Sequence, residues 1–306
     1  MTALTPTVSV VITTYNRVDR LRAALHSITQ QTFTDYEIIV VDDGSTADVA
    51  RVVFAIAPQS RVILQPNSGV ATARNVGIAA ARGQYIAFLD DDDQFMPAKL
   101  SEQVAALQQS PQAGLAYNGY ILQDEATGTN TVIPADVSED AYHAFLKQLA
   151  AGNIMPSQMM VPKAVLDEVG LFDPQVKIGE DAELVLRITR TYPIIAIDRP
   201  LTIMTHHPGR SVLNGHQQID DALQSRLYII HKLAAMDGQI PPTYKRRLLG
   251  DAHGVASGQY LFNSKQVTQA VEHLLRSFYW LPFAPALMRF YVRHIRDFLR
   301  ARSSRQ

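Results

Sequence analysis

Four short apolar runs open the chain: V-S-V-V-I-T-T at residues 8–14, E-I-I-V-V-D at 37–42, R-V-I-L-Q at 61–65 and Y-I-A-F-L at 85–89. Rich in Val, Ile and aromatic side chains, they read as strands. Between them the apolar positions recur at helical spacing. Over residues 17–30, Leu21, Ala24, Leu25 and Ile28 share one stripe. Val49, Val52, Val53 and Ile56 do the same in a helix that Ser45 is expected to cap, with Asp48 in its electropositive first turn. Residues 69–82 predict an alanine-rich helix with Val70, Ala73, Val76, Gly77 and Ala80 turned inward. The alternation of strand and helix implies a parallel sheet covered on both faces. In such sheets a ligand sits beyond the carboxyl ends of the strands.

After residue 96 the pattern changes. A helix is expected over 97–109, and a hairpin joins 115–123 to 129–133. Further helices are expected over 138–151 and 180–191, and extended chain over 194–204. From about residue 217 the chain reads as mostly helical. The expected fold class is α/β, with a mostly parallel sheet, a Rossmann-like first half and a helical C-terminal extension. The division falls at 1–215 and 216–306.

The strand ends carry the chemistry. The first ends in Thr13-Thr14-Tyr15-Asn16, the second in Asp42-Asp43-Gly44-Ser45, the fourth in Asp90-Asp91-Asp92-Asp93. Adjacent carboxylates repel unless a positive group sits among them. Such oxygen donors suit Mg²⁺ or Mn²⁺, completed by substrate phosphates. If the strand alternation continued, Asp90 and Asp92 would face one side, Asp91 and Asp93 the other. Arg74, beside Ala73, Asn75 and Gly77, sits where small neighbours let a ligand approach, although an isolated helical Arg is as often a solvated charge. Glu180-Asp181 opens the predicted helix at 180, where acids also complement a helix N-terminus. His206-His207 follow the extended run.

Composition narrows the classes. Lys and Arg total 28 and Asp and Glu 29 in 306 residues, so the near-neutral chain is not built to hold nucleic acid. The absence of cysteine excludes disulfides, thiol nucleophiles and iron–sulfur ligation. No secretory signal opens the sequence and no run approaches the 18 apolar residues of a membrane span, so a cytoplasmic protein is expected. Phosphate-loop and dinucleotide fingerprints are missing. An acidic pair after an early strand also fits a signalling receiver domain. The complete strand before the pair, and the lack of a Lys-Pro ending a later strand, count against that reading. Near the C-terminus, Arg289, Arg293, Arg296, Arg300, Arg302 and Arg305 face only Asp297, on a helical pattern whose apolar stripe holds Leu287, Tyr291, Ile295, Phe298 and Leu299. Such a basic amphipathic helix suits an anionic membrane surface, or packing against the rest of the chain or a second copy.

Five segments in order resemble the family-2 glycosyltransferases: V-S-V-V-I-T-T-Y-N-R (8–17), Q-T-F-T-D-Y-E-I-I-V-V-D-D-G-S (31–45), N-S-G-V-A-T-A-R-N-V-G-I (67–78), G-Q-Y-I-A-F-L-D-D-D-D (83–93) and G-E-D-A-E-L (179–184). The resemblance implies the A-type nucleotide-sugar fold, with a donor part over 1–110 and an acceptor part over 111–215. It implies an inverting transferase that uses a nucleoside-diphosphate sugar, most often of UDP, with Mn²⁺ or Mg²⁺, and a glycan or lipid-linked acceptor. Thr13 and Tyr15 would line the base pocket and Asp43 would contact base or ribose. Arg74 would lie near base and diphosphate, and Asp90 and Asp91 would face the donor. Asp92 would be the metal ligand, with His207 also in reach of metal or acceptor. Asp181 would be the general base. Four consecutive aspartates depart from the usual Asp-x-Asp spacing, so Asp91 or Asp93 could share the metal. A sugar-nucleotide binder without turnover is the alternative within this class.

Overall fold

The computed structural model describes residues 5–135, 154–207, 216–237, 240, 242–262 and 266–280. The chain divides into two compact units, Met1–Val212 and Leu213–Gln306.

In the first unit β1 (Val8–Thr14), α1 (Val18–Thr29), β2 (Tyr36–Asp42), α2 (Val49–Ile56), β3 (Arg61–Leu64), α3 (Val70–Ala80) and β4 (Tyr85–Asp90) follow one another as the apolar pattern predicts. The strands pair in parallel in the order β3-β2-β1-β4. Register places Thr14 opposite Asp42 and Thr13 opposite Asp90, so the three polar strand ends lie side by side. All four residues of the α1 stripe are fully buried against β1, β2 and β4. Burying each leucine or isoleucine of that stripe stabilises the fold by about 2 kcal/mol.

Beyond β4 the sheet becomes mixed. The chain adds β5 (Asp93–Phe95), α4 (Lys99–Gln109), β6 (Leu115–Asp124) and β7 (Asn130–Ile133). A 3₁₀ turn (Pro156–Gln158) then leads into β8 (Met159–Pro162), α5 (Lys163–Val169), α6 (Glu180–Thr191) and β9 (Ile194–His206). The sheet order is β3-β2-β1-β4-β8-β6-β9-β5, with β7 at the side of β6. β8 runs antiparallel to both β4 and β6, while β6 and β9 are parallel. Under the β5 end, the ammonium of Lys99 is fully buried. It donates to Gln103 Oε1 at 2.7 Å and Asn118 Oδ1 at 3.0 Å and lies 4.7 Å from the centre of the Phe95 ring. Burial drives its pKa well below the usual lysine value.

Three local expectations are corrected. Asp48, not Ser45, caps α2: its side chain accepts from Arg51 N at 3.0 Å. Ser45 belongs to the turn before, where its hydroxyl accepts from Asn16 N and its own amide donates to Asp42 Oδ1, both at 2.9 Å. In α3 the inward side carries Ala71, Ala73, Arg74, Gly77 and Ile78, whereas Val70 is exposed. The cause is the missing side chain at Gly77. A Cβ there would meet Val11 Cγ1 at 2.3 Å, so the helix lies close against β1 along this edge and turns Arg74 toward the strand ends. The third correction, at Asp90–Asp93, belongs to the site below.

In the second unit, α7 (His216–Asp237), α8 (Pro242–Phe262) and α9 (Val267–Trp280) are helical, as the pattern predicts. His253 and His273 face each other across α8 and α9 with Nδ1 atoms 3.2 Å apart. Burial, then the neighbouring imidazole, pushes His253 down to about 4. Among the described residues no helix is long and apolar enough to cross a membrane. The helix expected over 138–151 and the basic segment 287–305 lie outside the described residues.

Candidate active site

The four aspartates do not continue the alternation of β4. The strand stops at Asp90, a turn holds Asp91 and Asp92, and Asp93 begins β5. Ser157, fully buried, fastens both ends of the turn. Its hydroxyl donates to Asp93 Oδ2 at 2.7 Å and accepts from Asp90 N at 3.0 Å. Asp93 is thereby drawn apart from its neighbours, and repulsion within the run is reduced. Asp93 is drawn under the sheet by Ser157 and by Thr205 N. Both of its oxygens are engaged there, at the residue the sequence had left as one alternative metal ligand.

Asp91 and Asp92 share Arg17, which stands at the start of α1. Its guanidinium lies 2.8 Å from Asp91 Oδ1 and donates to Asp92 Oδ2 at 2.7 Å. Asp91 Oδ2 accepts from Thr14 Oγ1 at 2.7 Å, and Asp91 is fully buried. Desolvation pushes its carboxyl up to about 7, against the opposing pull of Arg17 and Thr14. Asp92 Oδ2 also lies 3.1 Å from Nε2 of His207, which arrives from the end of β9 and is itself buried.

Arg74 connects this turn to α6. It is 4% exposed. One nitrogen donates to Asp90 Oδ1 at 2.7 Å and another to Glu180 Oε1 at 2.6 Å, while the guanidinium carbon lies 5.3 Å from the centre of the Phe172 ring. Desolvation disfavours its charge, but the two carboxylates prevail and raise its pKa. The loop carrying Phe172 is itself fixed. Asn75 exchanges two hydrogen bonds with the Phe172 backbone, and Arg187, paired with buried Glu183, donates to the carbonyls of Val169, Gly170 and Leu171. Next to Glu180, the half-buried Asp181 accepts from Ala182 N at 2.7 Å. Desolvation and the adjacent Glu180 push its carboxyl up to about 7, with Arg74 opposing. A carboxylate so tuned is matched to taking a proton near neutral pH.

The β2 end is built differently. Asp43 Oδ1 accepts from the Gln65 side chain at 2.6 Å and Ser68 N at 2.8 Å, and its Oδ2 accepts from Gly69 N at 3.0 Å. The carboxylate therefore shapes the loop that enters α3. Gly44, at φ +86, makes the sharp turn beside it, where a Cβ would meet Asn67 N at 2.9 Å. Thr13 is buried between β2 and β4, and Tyr15 stands 46% exposed just past the strand end.

The donor set suits a divalent cation. Asp92 Oδ2 and His207 Nε2 lie 3.1 Å apart, and buried Asp91 Oδ1 has the Arg17 ion pair but no hydrogen bond. Among the described residues no group of three or more metal-binding side chains assembles. The protein could thus hold the ion through a carboxylate and an imidazole and leave the remaining positions to phosphate oxygens and water, as Mg²⁺ and Mn²⁺ accept.

Residues 9–170 match Glycosyl transferase family 2. The chain belongs to this family. An uncharacterised glycosyltransferase of Haemophilus influenzae is 29% identical over 210 residues, which span 66% of this chain and 69% of that protein. The uncharacterised glycosyltransferase YwdF of Bacillus subtilis is 30% identical over 61% of this chain and 69% of its own length. Against two uncharacterised rickettsial glycosyltransferases, by contrast, the chain spans 32% of the relative. Among solved structures, S. aureus TarS 1-349 in complex with UDP-GlcNAc superposes with a TM-score of 0.61 at 17% identity, covering 89% of this chain and 81% of that one. The mannosyltransferase PcManGT from Pyrobaculum calidifontis, in complex with GDP-Man and Mn²⁺, gives 0.57 at 20% identity, covering 96% and 81%. The fold is thereby that of the A-type glycosyltransferases, with C-terminal helices added.

Of the site residues expected for a family-2 chain, Thr13, Asp90, Asp91, Asp92, Arg74, Asp181 and His207 are gathered around the β4 end. Asp43 and Tyr15 flank it at the β2 side. Three participants escaped the sequence reading: Arg17, Ser157 and Glu180 in its pairing with Arg74. Arg17 directly follows a polar strand end, which is a usable signal for a cation near carboxylates. Ser157 lies in an irregular segment and gives none. A cavity of about 730 Å³ lies instead at the opposite end of β4, lined by Gly83, Tyr85, Leu107, Pro162, Lys163 and Tyr192, and none of the site residues lines it.

Proposed function

We propose that this chain is a divalent-metal-dependent, inverting glycosyltransferase that moves a sugar from a nucleoside diphosphate, UDP by preference, to a hydroxyl of a glycan or lipid-linked acceptor. One observation carries the reading: Arg74 ties Asp90 at the strand end to Glu180, which brings Asp181 beside the acidic turn. UDP-GlcNAc in one structural neighbour, and GDP-Man with Mn²⁺ in another, support the donor class.

Thr13 and Tyr15 line the base pocket, and Asp43, which also orders the loop beside it, contacts base or ribose. Asp90, Asp91 and Arg74 border the diphosphate and sugar. Asp92 and His207 hold the cation, Mn²⁺ or Mg²⁺, which when bound neutralises charge developing on the departing diphosphate. Asp181 takes the proton of the acceptor hydroxyl as its oxygen attacks the anomeric carbon opposite the leaving group. One displacement of this kind inverts the centre. The basic segment 287–305 would bring the enzyme to the inner face of an anionic membrane, where a lipid-linked acceptor resides.

Replacing Asp181 with Asn tests the assignment, using hydrolysis of UDP-sugars with water as acceptor. Turnover should fall by about 10²–10⁴-fold, with the UDP dissociation constant within threefold of wild type. In the wild type, turnover should decline as pH drops through about 7, because the base becomes protonated. Near-wild-type turnover in the variant would overturn the base assignment. UDP binding without turnover in the wild type would favour a silent binder.

A further inference from the structure

We infer that Arg17 is a built-in competitor of the divalent cation, and that it makes capture of the metal depend on arrival of the donor diphosphate. The inference rests on the metal reading above and concerns a residue outside that reading's ligand set.

The geometry is specific. Arg17 spans two neighbouring carboxylates, 2.8 Å from Asp91 and 2.7 Å from Asp92. On Asp92 its nitrogen meets the same oxygen, Oδ2, that His207 Nε2 approaches at 3.1 Å. A cation taking the place of the His207–Asp92 contact would sit about 2.1 Å from that oxygen. An arginine nitrogen cannot keep its hydrogen bond to the oxygen from the side the ion would occupy. Charge works in the same direction, since a guanidinium a few ångströms from a divalent ion repels it.

Among the described partners of the acidic turn, Arg17 is the arginine open to solvent. Its side chain is 37% exposed, whereas those of Asp91 and Asp92 are 0% and 5%. Arg74, by contrast, is buried and held from both sides. Guanidinium groups pair with phosphate oxygens as readily as with carboxylates. A diphosphate entering at the β4 end therefore offers Arg17 a new anion. As the guanidinium turns to the phosphate, Asp92 is released to the metal. Before that moment Arg17 keeps two adjacent carboxylates from repelling each other and holds the turn assembled.

The test is Mn²⁺ binding by calorimetry and by electron paramagnetic resonance of the free ion, on the full chain, with and without UDP. Wild type should bind Mn²⁺ weakly alone and at least tenfold more tightly with UDP. Arg17→Gln should bind Mn²⁺ alone at least tenfold more tightly than wild type, and UDP should then add less than threefold. Arg17→Lys, which keeps the charge, should stay near wild type and guards against a folding defect in the Gln variant. Asp92→Asn should abolish binding in every background. If Arg17→Gln binds Mn²⁺ no better than wild type while Asp92→Asn loses it, the Arg17 inference falls and the metal reading stands. If neither wild type nor Arg17→Gln binds Mn²⁺ with or without UDP, both fall.

Discussion

The ends of β2 and β4 carry the same residue type at the same place in the sheet, yet their carboxylates have opposite fates. Asp42 and Asp43 are met by backbone amides and one side-chain amide, all neutral donors. Asp90, Asp91 and Asp92 are met by two arginines and a histidine. A carboxylate surrounded by amides is committed to local structure, because nothing mobile can replace a backbone. A carboxylate paired with a side-chain cation can exchange that cation for another. The charge of the partner, not the identity of the acid, separates the two strand ends here.

The sharpest way to break the comparison is at Arg74. Arg74→Met leaves Asp90 and Glu180 without their shared cation, and losing one partner of a buried pair costs about 3–5 kcal/mol. Urea unfolding should show a loss near the lower figure, since Asp90 retains some contact with solvent, and Arg74→Lys should recover part of it. At the β2 end, Asp43→Ala strands the amides of Ser68 and Gly69, and a cost of about 2 kcal/mol is expected. Hydrogen exchange at those two amides should quicken. The rise in Tm that Mn²⁺ with UDP gives the wild type should shrink in Asp43→Ala, because the proposed contact to base or ribose is lost with the loop. A variant that keeps the full rise would mean that Asp43 serves the loop alone and does not meet the nucleotide.

The smallest effect concerns pH. Asp91 holds its proton to about pH 7 in the folded chain, whereas an unfolded aspartate releases it near 4. Between those values the folded state binds more protons, so this group's contribution to stability falls as pH rises from about 4 to about 7 and is level outside that window. Asp91→Asn should flatten the pH dependence by about 1 kcal/mol per pH unit within it. An unchanged slope in the variant would show that Asp91 is ionised throughout that window.

What the sequence disclosed follows the same division. The strands of the parallel half were readable because V-V-I, I-I-V-V and I-A-F-L are unbroken apolar runs that only a sheet buried on both faces explains. The three polar strand ends were readable as one site because parallel order forces them to one edge. β5 is three residues long and begins with an aspartate, so no periodicity could announce it. That short strand is why Asp93 turns away from its neighbours. The inward turn of Arg74 was equally hidden, since a buried cation looks like a solvated one until its two acids are found, one of them 106 residues away. The pairing of Arg17 with Asp91 and Asp92 depends on contacts across more than 70 residues and leaves no local trace.

The bare backbone at Gly77 has a reach beyond its own contact with Val11. A methyl group there would have to displace the buried Val11 side chain or lift the helix from the strand, and Arg74 rides one turn earlier on that same helix. The spacing between Asp90 and Glu180, which Arg74 joins, is thus set partly from behind, by a position that touches neither. Substitutions at this hidden spacer would register as weakened catalysis in a protein that still folds.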